Sequence, residues 1–183
     1  MNDIDEIGQI LNCFLNEDDD IRNPAVDHFF KLLKEDPDST INALFFFIVQ
    51  NSSCNERVQA LIQAYRFLYS ISVSDETDVL STETYQNIMS TSIQLLEQAN
   101  LLNRLEIQYI FFIISTFIKN IIIPGNWPEI YGVMWNLIDT ELCSYAITFF
   151  KDYFSKITMD NIGQVPEEFI ARIAELIKID SQD

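Results

Sequence analysis

A chain of 183 residues that is 48% hydrophobic, with only 4 Gly and 5 Pro, is too apolar to stay disordered and too poor in turn residues for an all-β fold. Its 28 acidic against 11 basic side chains give a net charge of −17, which argues against nucleic acid and anionic membrane surfaces as partners and suits basic protein partners or plain solubility. Three cysteines, Cys13, Cys54 and Cys143, lie far apart with no CxxC, so neither a disulfide framework nor a zinc site is expected and the thiols read as those of a reducing compartment.

The start, Met1 to Glu6, is acidic and lacks the apolar run of a signal peptide. Apolar residues at Ile4, Ile7, Leu11, Phe14 and Leu15 repeat at helical spacing and predict a first helix. The turn Asn16 to Asp20 then places carboxylates at the positive end of a second helix, expected over Ile21–Lys34. That turn lacks the Gly and distal Glu of a calcium loop. Ile21, Ala25, Phe29, Leu32 and Leu33 are its expected core face, and Pro24 suggests that the helix starts properly only at Asn23. The Glu35-Asp36-Pro37-Asp38 break leads to a third helix over Ser39–Gln50. Its Phe45–Val49 run has strand propensity, but the helical flanks and the lack of a partner strand favour helix. A fourth helix is expected over Cys54–Ser70, with Val58, Leu61, Ile62, Tyr65, Leu68 and Tyr69 on one face, followed by a loop over Ile71–Leu80. Asn51-Ser52-Ser53 matches a glycosylation sequon, which means little in a cytosolic protein.

Ser81 predicts the cap of a fifth helix running to about Ala99. A sixth is expected over Leu102–Ile121. Its apolar core, Tyr109–Ile118, is about half the roughly 20 residues needed to cross a bilayer, so a helix buried on most sides is expected instead. Pro124-Gly125-Asn126 stops it. Further helices are expected over Trp127–Ile138, Thr140–Ile157 and 166–179. Trp127 and Trp135, two turns apart, are expected to be largely buried between repeats.

Two short patterns recur at repeat spacing. Asp20-Ile21-Arg22-Asn23-Pro24-Ala25 and Glu56-Arg57-Val58-Gln59-Ala60 each place Ala three residues after an Arg, and the two arginines are 35 residues apart. Alternate helices start near residues 3, 39, 81, 127 and 166, at spacings of 36, 42, 46 and 39. Such periods mark α-solenoids, in which no helix pair can bury its apolar face alone. The expectation is an all-α, α-α superhelix, a HEAT/armadillo-like solenoid of four to five antiparallel helix pairs. It forms one domain over 1–183, with repeats at about 3–35, 37–71, 81–121 and 126–158 and a last helix at 166–179.

No catalytic motif accompanies this pattern. His28 is the only histidine, the four glycines are scattered, and no phosphate loop or nucleophile elbow is present. The expectation is a protein that is not an enzyme, with no cofactor and no metal.

Leu11 to Tyr69 resembles the N-terminal repeats of the importin-β (karyopherin-β) nuclear transport receptors. The resemblance rests on the Asn/Asp-rich turn before Arg22-x-x-Ala25, the Asp36-Pro37 break, the Phe/Leu-rich helix ending at Asn51-Ser52-Ser53, and Arg57-x-x-Ala60. It extends to Trp127-Pro128-Glu129-Ile130, near a helix start as in that family, and covers about residues 7–157. The chain is several times shorter than such receptors. The resemblance implies a concave face, built from the second helix of each pair, that binds the GTPase Ran in its GTP form. It also implies cargo or nucleoporin proteins as further partners and a location in cytoplasm and nucleus. The implied contact residues are Lys31, Gln63, Arg66, Arg104, Gln108 and Lys119, while Arg22 and Arg57 more naturally cap carbonyls or bridge repeats. The rival expectation is a generic helical-repeat scaffold or adaptor for another protein.

Overall fold

The computed structural model describes residues 3–51, 54–74, 79–118, 127, 129–155 and 171. All regular structure among them is helical, with no strand. The chain divides into two compact units, Met1–Ile121 and Ile122–Asp183.

The first unit holds α1 (Asp3–Phe14), α2 (Asp19–Glu35), α3 (Pro37–Gln50), α4 (Cys54–Val73), α5 (Thr82–Glu97) and α6 (Arg104–Thr116), with a 3-10 turn at Ala99–Leu101. Helices α1, α3 and α5 form one row, each packed on the next. Helices α2, α4 and α6 flank it, α4 and α6 sharing the most extensive contact in the unit. Gly8 lets α1 approach α3 closely, because a Cβ there would stand 3.0 Å from the Phe47 ring.

Local chemistry sets the helix ends. Asp18 caps α2 by accepting the Asp20 N–H at 2.9 Å, and Asp19 and Asp20 occupy its first turn. The helix therefore begins before Ile21, and Pro24 lies inside it rather than at its start. The missing N–H leaves only the carbonyl of Asp20, an exposed residue, to be satisfied by water. Ile21 is 44% exposed, so the expected core face shrinks to Phe29 and Leu33, the buried residues of α2. Asp36 then serves two helices. Its N–H bonds the Leu32 carbonyl at 2.9 Å, closing α2, and its carboxylate accepts the Ser39 N–H at 3.0 Å, opening α3 with Pro37 in the first turn.

The Phe45–Val49 run is helical, as expected. Helix α3 buries Ile41, Leu44, Phe45 and Ile48 and exposes Phe46 and Val49. Helix α4 runs three residues past its expected end, because Ile71 is buried. Its buried stripe is Ala60, Leu61, Ala64, Leu68 and Ile71, rotated from the expected face. Tyr65 meets the rings of Tyr109 and Phe112 on α6.

Helices α3 and α5 meet through a polar seam. Asn42 donates to the Thr84 hydroxyl at 2.9 Å, and Asn87 donates to Asn42 Oδ1 at 2.7 Å. The N–H and hydroxyl of Ser81, the cap of α5, both donate to Asp38 at 2.9 Å. The Thr84 hydroxyl, with Ser81, holds the Asp38 carboxyl below the ordinary aspartate value, against a smaller opposing effect of burial.

The second unit contains Trp127, α7 (Glu129–Leu137) and α8 (Cys143–Phe154). These helices are shorter than the expected 127–138 and 140–157, and the expected 166–179 helix lies outside the described residues apart from Ala171. Aromatic rings form the α7–α8 core. Tyr131 and Tyr153 pack edge-on at 4.8 Å, and Phe149 meets Phe150 at 5.2 Å. Burial pushes the Tyr153 hydroxyl above its usual range. The nearby Tyr131 hydroxyl offsets this in part, without the geometry of a hydrogen bond. Trp127 is 2% exposed. Trp135 is less fully buried than Trp127, its ring 6.3 Å from Phe150 of α8.

Two outcomes follow from this packing. Trp127→Ala will destabilise by roughly 3–5 kcal/mol, as for a buried aromatic, and Trp135→Ala by clearly less, both read from denaturant melts. Because the Asp38 pKa is lowered on folding, its contribution is complete above the ordinary value of 3.8 and fades as pH falls through the folded value. Asp38→Asn will therefore flatten the acid limb of the stability–pH profile below 3.8, measured by thermal melting across pH.

Candidate protein-docking face

The site begins with what fixes α4 and α6. Arg57 lies in the first turn of α4 and donates through Nη1 to the Asn51 carbonyl at 3.1 Å, tying the α3–α4 turn to α4. Its Nε reaches Glu106 Oε1 at 2.5 Å. The Glu106 side chain is 1% exposed and that of Arg57 18%. The other Glu106 oxygen accepts the Asn103 N–H at 2.7 Å, while Asn103 Oδ1 accepts the Glu106 N–H at 2.9 Å. This reciprocal capping box opens α6. Glu106 thus caps its own helix and neutralises an arginine of another. Sequence analysis assigned Glu106 no role. Asn-x-x-Glu before an apolar run was the available signal.

Arg22 repeats half of this arrangement. It donates through Nη1 to the Asn16 carbonyl at 3.2 Å and pairs with Asp19. Both arginines are the fourth residue of their helix, and both reach the carbonyl of an asparagine six residues back. The expectation that they cap carbonyls holds for both, and Arg57 also bridges to the next pair. In α6 the fourth position is Ile107, and the pattern stops there. His28 bonds Glu6 at 2.7 Å, joining α2 to α1, which is a packing role. Among the described residues, no three His, Cys, Asp or Glu side chains gather as metal ligands do.

With α4 and α6 fixed, their outward side chains form an aromatic group. Tyr65 lies 5.4 Å from Phe112 and 6.1 Å from Tyr109, and Tyr69 packs on Tyr65 at 5.8 Å. Tyr69 is 51% exposed. The i, i+4 spacing of the tyrosines on α4 was visible in the sequence, but it reads equally well as core.

Helices α2 and α4 make little direct contact. Between them lies a cleft of about 420 Å³ walled by Phe29, Phe30, Leu33 and Phe67. Lys34, Gln63, Arg66 and Ser70 complete its lining. Of the expected contact residues, the structure brings Gln63 and Arg66 together here. Arg66 is exposed, and Gln63 is buried at 6% rather than displayed on an open surface. Lys31 is exposed on α2 and pairs with Glu35 at 3.8 Å. Arg104 is exposed at the start of α6, Gln108 is half-buried one turn further on, and Lys119 lies outside the described residues. Sequence reasoning missed Phe30 and Phe67 as part of this site.

Breaking the buried pair leaves an uncompensated charge, which costs about 3–5 kcal/mol. Glu106→Ala will therefore destabilise by that order, and Arg57→Met by a similar amount. The double variant will lose less than the sum, as a double-mutant cycle in denaturant would show.

No protein-family model, no curated protein and no solved structure matches this chain.

Proposed function

We propose that this chain is a HEAT-like stack of helix pairs that works by binding a protein partner on α2, α4 and α6, and that the partner is Ran in its GTP form. The carrying observation is the repeated turn. Arg22 and Arg57, 35 residues apart, make the same bond to an asparagine carbonyl at the same place in successive helix pairs. The row of α1, α3 and α5, with α2, α4 and α6 beside it, supports the same reading of one unit repeated. The choice of Ran rests on the sequence resemblance to the importin-β receptors. In that reading the chain is part of a nuclear transport receptor shuttling between cytoplasm and nucleus. Ran–GTP selects one arrangement of the stacked pairs and so changes affinity for cargo or nucleoporins by linkage. No chemistry on a substrate is invoked.

One observation favours the second reading, an adaptor for a different protein. Arg22, Asp36, Asn51 and Arg57 carry much of the resemblance, yet all four are occupied in turns and caps. Any stack of such pairs needs those bonds, whatever it binds.

Titration with Ran loaded with a non-hydrolysable GTP analogue, against Ran–GDP, separates the two. The Ran reading expects binding to the GTP form only. Lys31→Glu with Arg66→Glu, both at exposed positions, will then weaken it by about tenfold, on the order of 1 kcal/mol or slightly more in total. Equal binding to both forms, or none at high micromolar concentration, rejects Ran and leaves the adaptor.

A further inference from the structure

We infer that the cleft between α2 and α4 is a binding site for a short acidic peptide segment of another protein, one that carries a large apolar side chain. This rests on reading α2, α4 and α6 as a docking face, and not on Ran being the partner.

Three features of the cleft point the same way. First, its walls are apolar but not closed. Phe30 is 56% exposed beside Phe29, Leu33 and Phe67, whereas the α4–α6 seam is filled by its own aromatic rings. The cleft volume of about 420 Å³ admits a Phe, Trp or Leu side chain, and its burial would take Phe30 out of water as well. Second, Gln63 is 6% exposed as a whole and lines the cleft, and its amide is not among the wholly buried polar groups left unpartnered, so it is met by solvent that a ligand in the cleft would displace. An amide offers both a donor and an acceptor, and a peptide main chain supplies the complement of each. A bare hydrocarbon ligand would leave it unsatisfied. Third, the charge of the cleft is opposite to that of the chain. Lys34 and Arg66 line it and no carboxylate does, although the chain carries 28 acids against 11 bases. Neither cation has an ion-pair partner among the described residues, and the neighbouring Glu35 is held by Lys31. Two unpaired cations flanking an apolar slot select Asp or Glu on either side of the apolar anchor, and the global charge of −17 repels other anions over longer range. Basic and aromatic walls also suit single-stranded nucleic acid, but two cations neutralise few phosphates, and against that net charge the peptide is favoured.

The test is selection from a random peptide phage library against the full chain, followed by fluorescence anisotropy with synthetic versions of the enriched peptides. Enrichment of sequences that combine Asp or Glu with Phe, Trp or Leu is expected, with affinity falling as salt is raised. Phe30→Ser and Gln63→Leu will each weaken binding by about tenfold or more. Phe30 is exposed, so that variant will melt as the parent does and keeps the test decisive if Gln63→Leu loses stability. No enrichment, enrichment of basic or neutral sequences, or binding that survives both variants overturns the proposal. So does an oligouridine RNA that binds the parent and is lost in the same variants. Ran–GTP titrations on these two variants are read separately, so rejection of Ran leaves the peptide result standing.

Discussion

A carboxylate that is 1% exposed in a helical core is tolerated only if a cation and hydrogen-bond donors come to it. Glu106 imposes that requirement on three parts of the first unit at once. It fixes where α6 starts, through the capping box with Asn103. It fixes where α4 lies relative to α6, because Arg57 must reach it. It fixes the turn after α3, because the same guanidinium holds the Asn51 carbonyl. A pair of this kind gives little net stability over an apolar replacement, but it penalises every arrangement in which the two charges do not meet. That penalty fixes the register of α4 against α6. The Tyr65–Phe112 and Tyr65–Tyr109 contacts are made in that register.

The seams of the first unit differ in chemistry, and the difference decides which surfaces are left for function. The α3–α5 seam is stitched by amides and hydroxyls, Asn42, Asn87, Ser81 and Thr84, which fix orientation more than they bury area. The α4–α6 seam is aromatic and filled. The α2–α4 seam has neither device. Arg22, the counterpart of Arg57, pairs with Asp19 of its own helix instead of reaching the following pair. Glu56 stands where Glu106 stands in its helix, but it is held by Asn51 at 2.6 Å. With no ion pair drawing α2 onto α4, a cleft remains between them.

What could be read from the sequence follows the same division. The all-helical class was legible because 3.6-residue periodicity and scarce Gly and Pro are properties of whole segments, and the Ser81 and Asp20 regions announced helix starts by residue type. The Arg22 and Arg57 roles were legible because the two patterns repeat. Face assignments fared worse. On α4, Val58, Ile62 and Tyr69 have the hydrophobicity of core residues, yet the core took Ala60 and Ala64, because no single-helix pattern encodes how near its neighbours come. Pro24 misled because its cost depends on whether water reaches the Asp20 carbonyl, which is a matter of burial. The cleft was illegible for a related reason. It is defined by an interaction that α2 and α4 do not make, and sequence patterns report the contacts a helix can form more readily than those it leaves unmade.

Asp36 closes α2 with its N–H and opens α3 with its carboxylate, so no slack separates the two helices. Insertion of one residue there would break one cap or the other, just as insertion into the Asn16–Asp18 turn would break the Arg22 bond to the Asn16 carbonyl. The absence of slack also makes α2 and α3 a rigid elbow. Any tilt of α2 that widens or narrows its cleft with α4 is levered into α3, and from α3 through the Asp38–Ser81 bonds into α5.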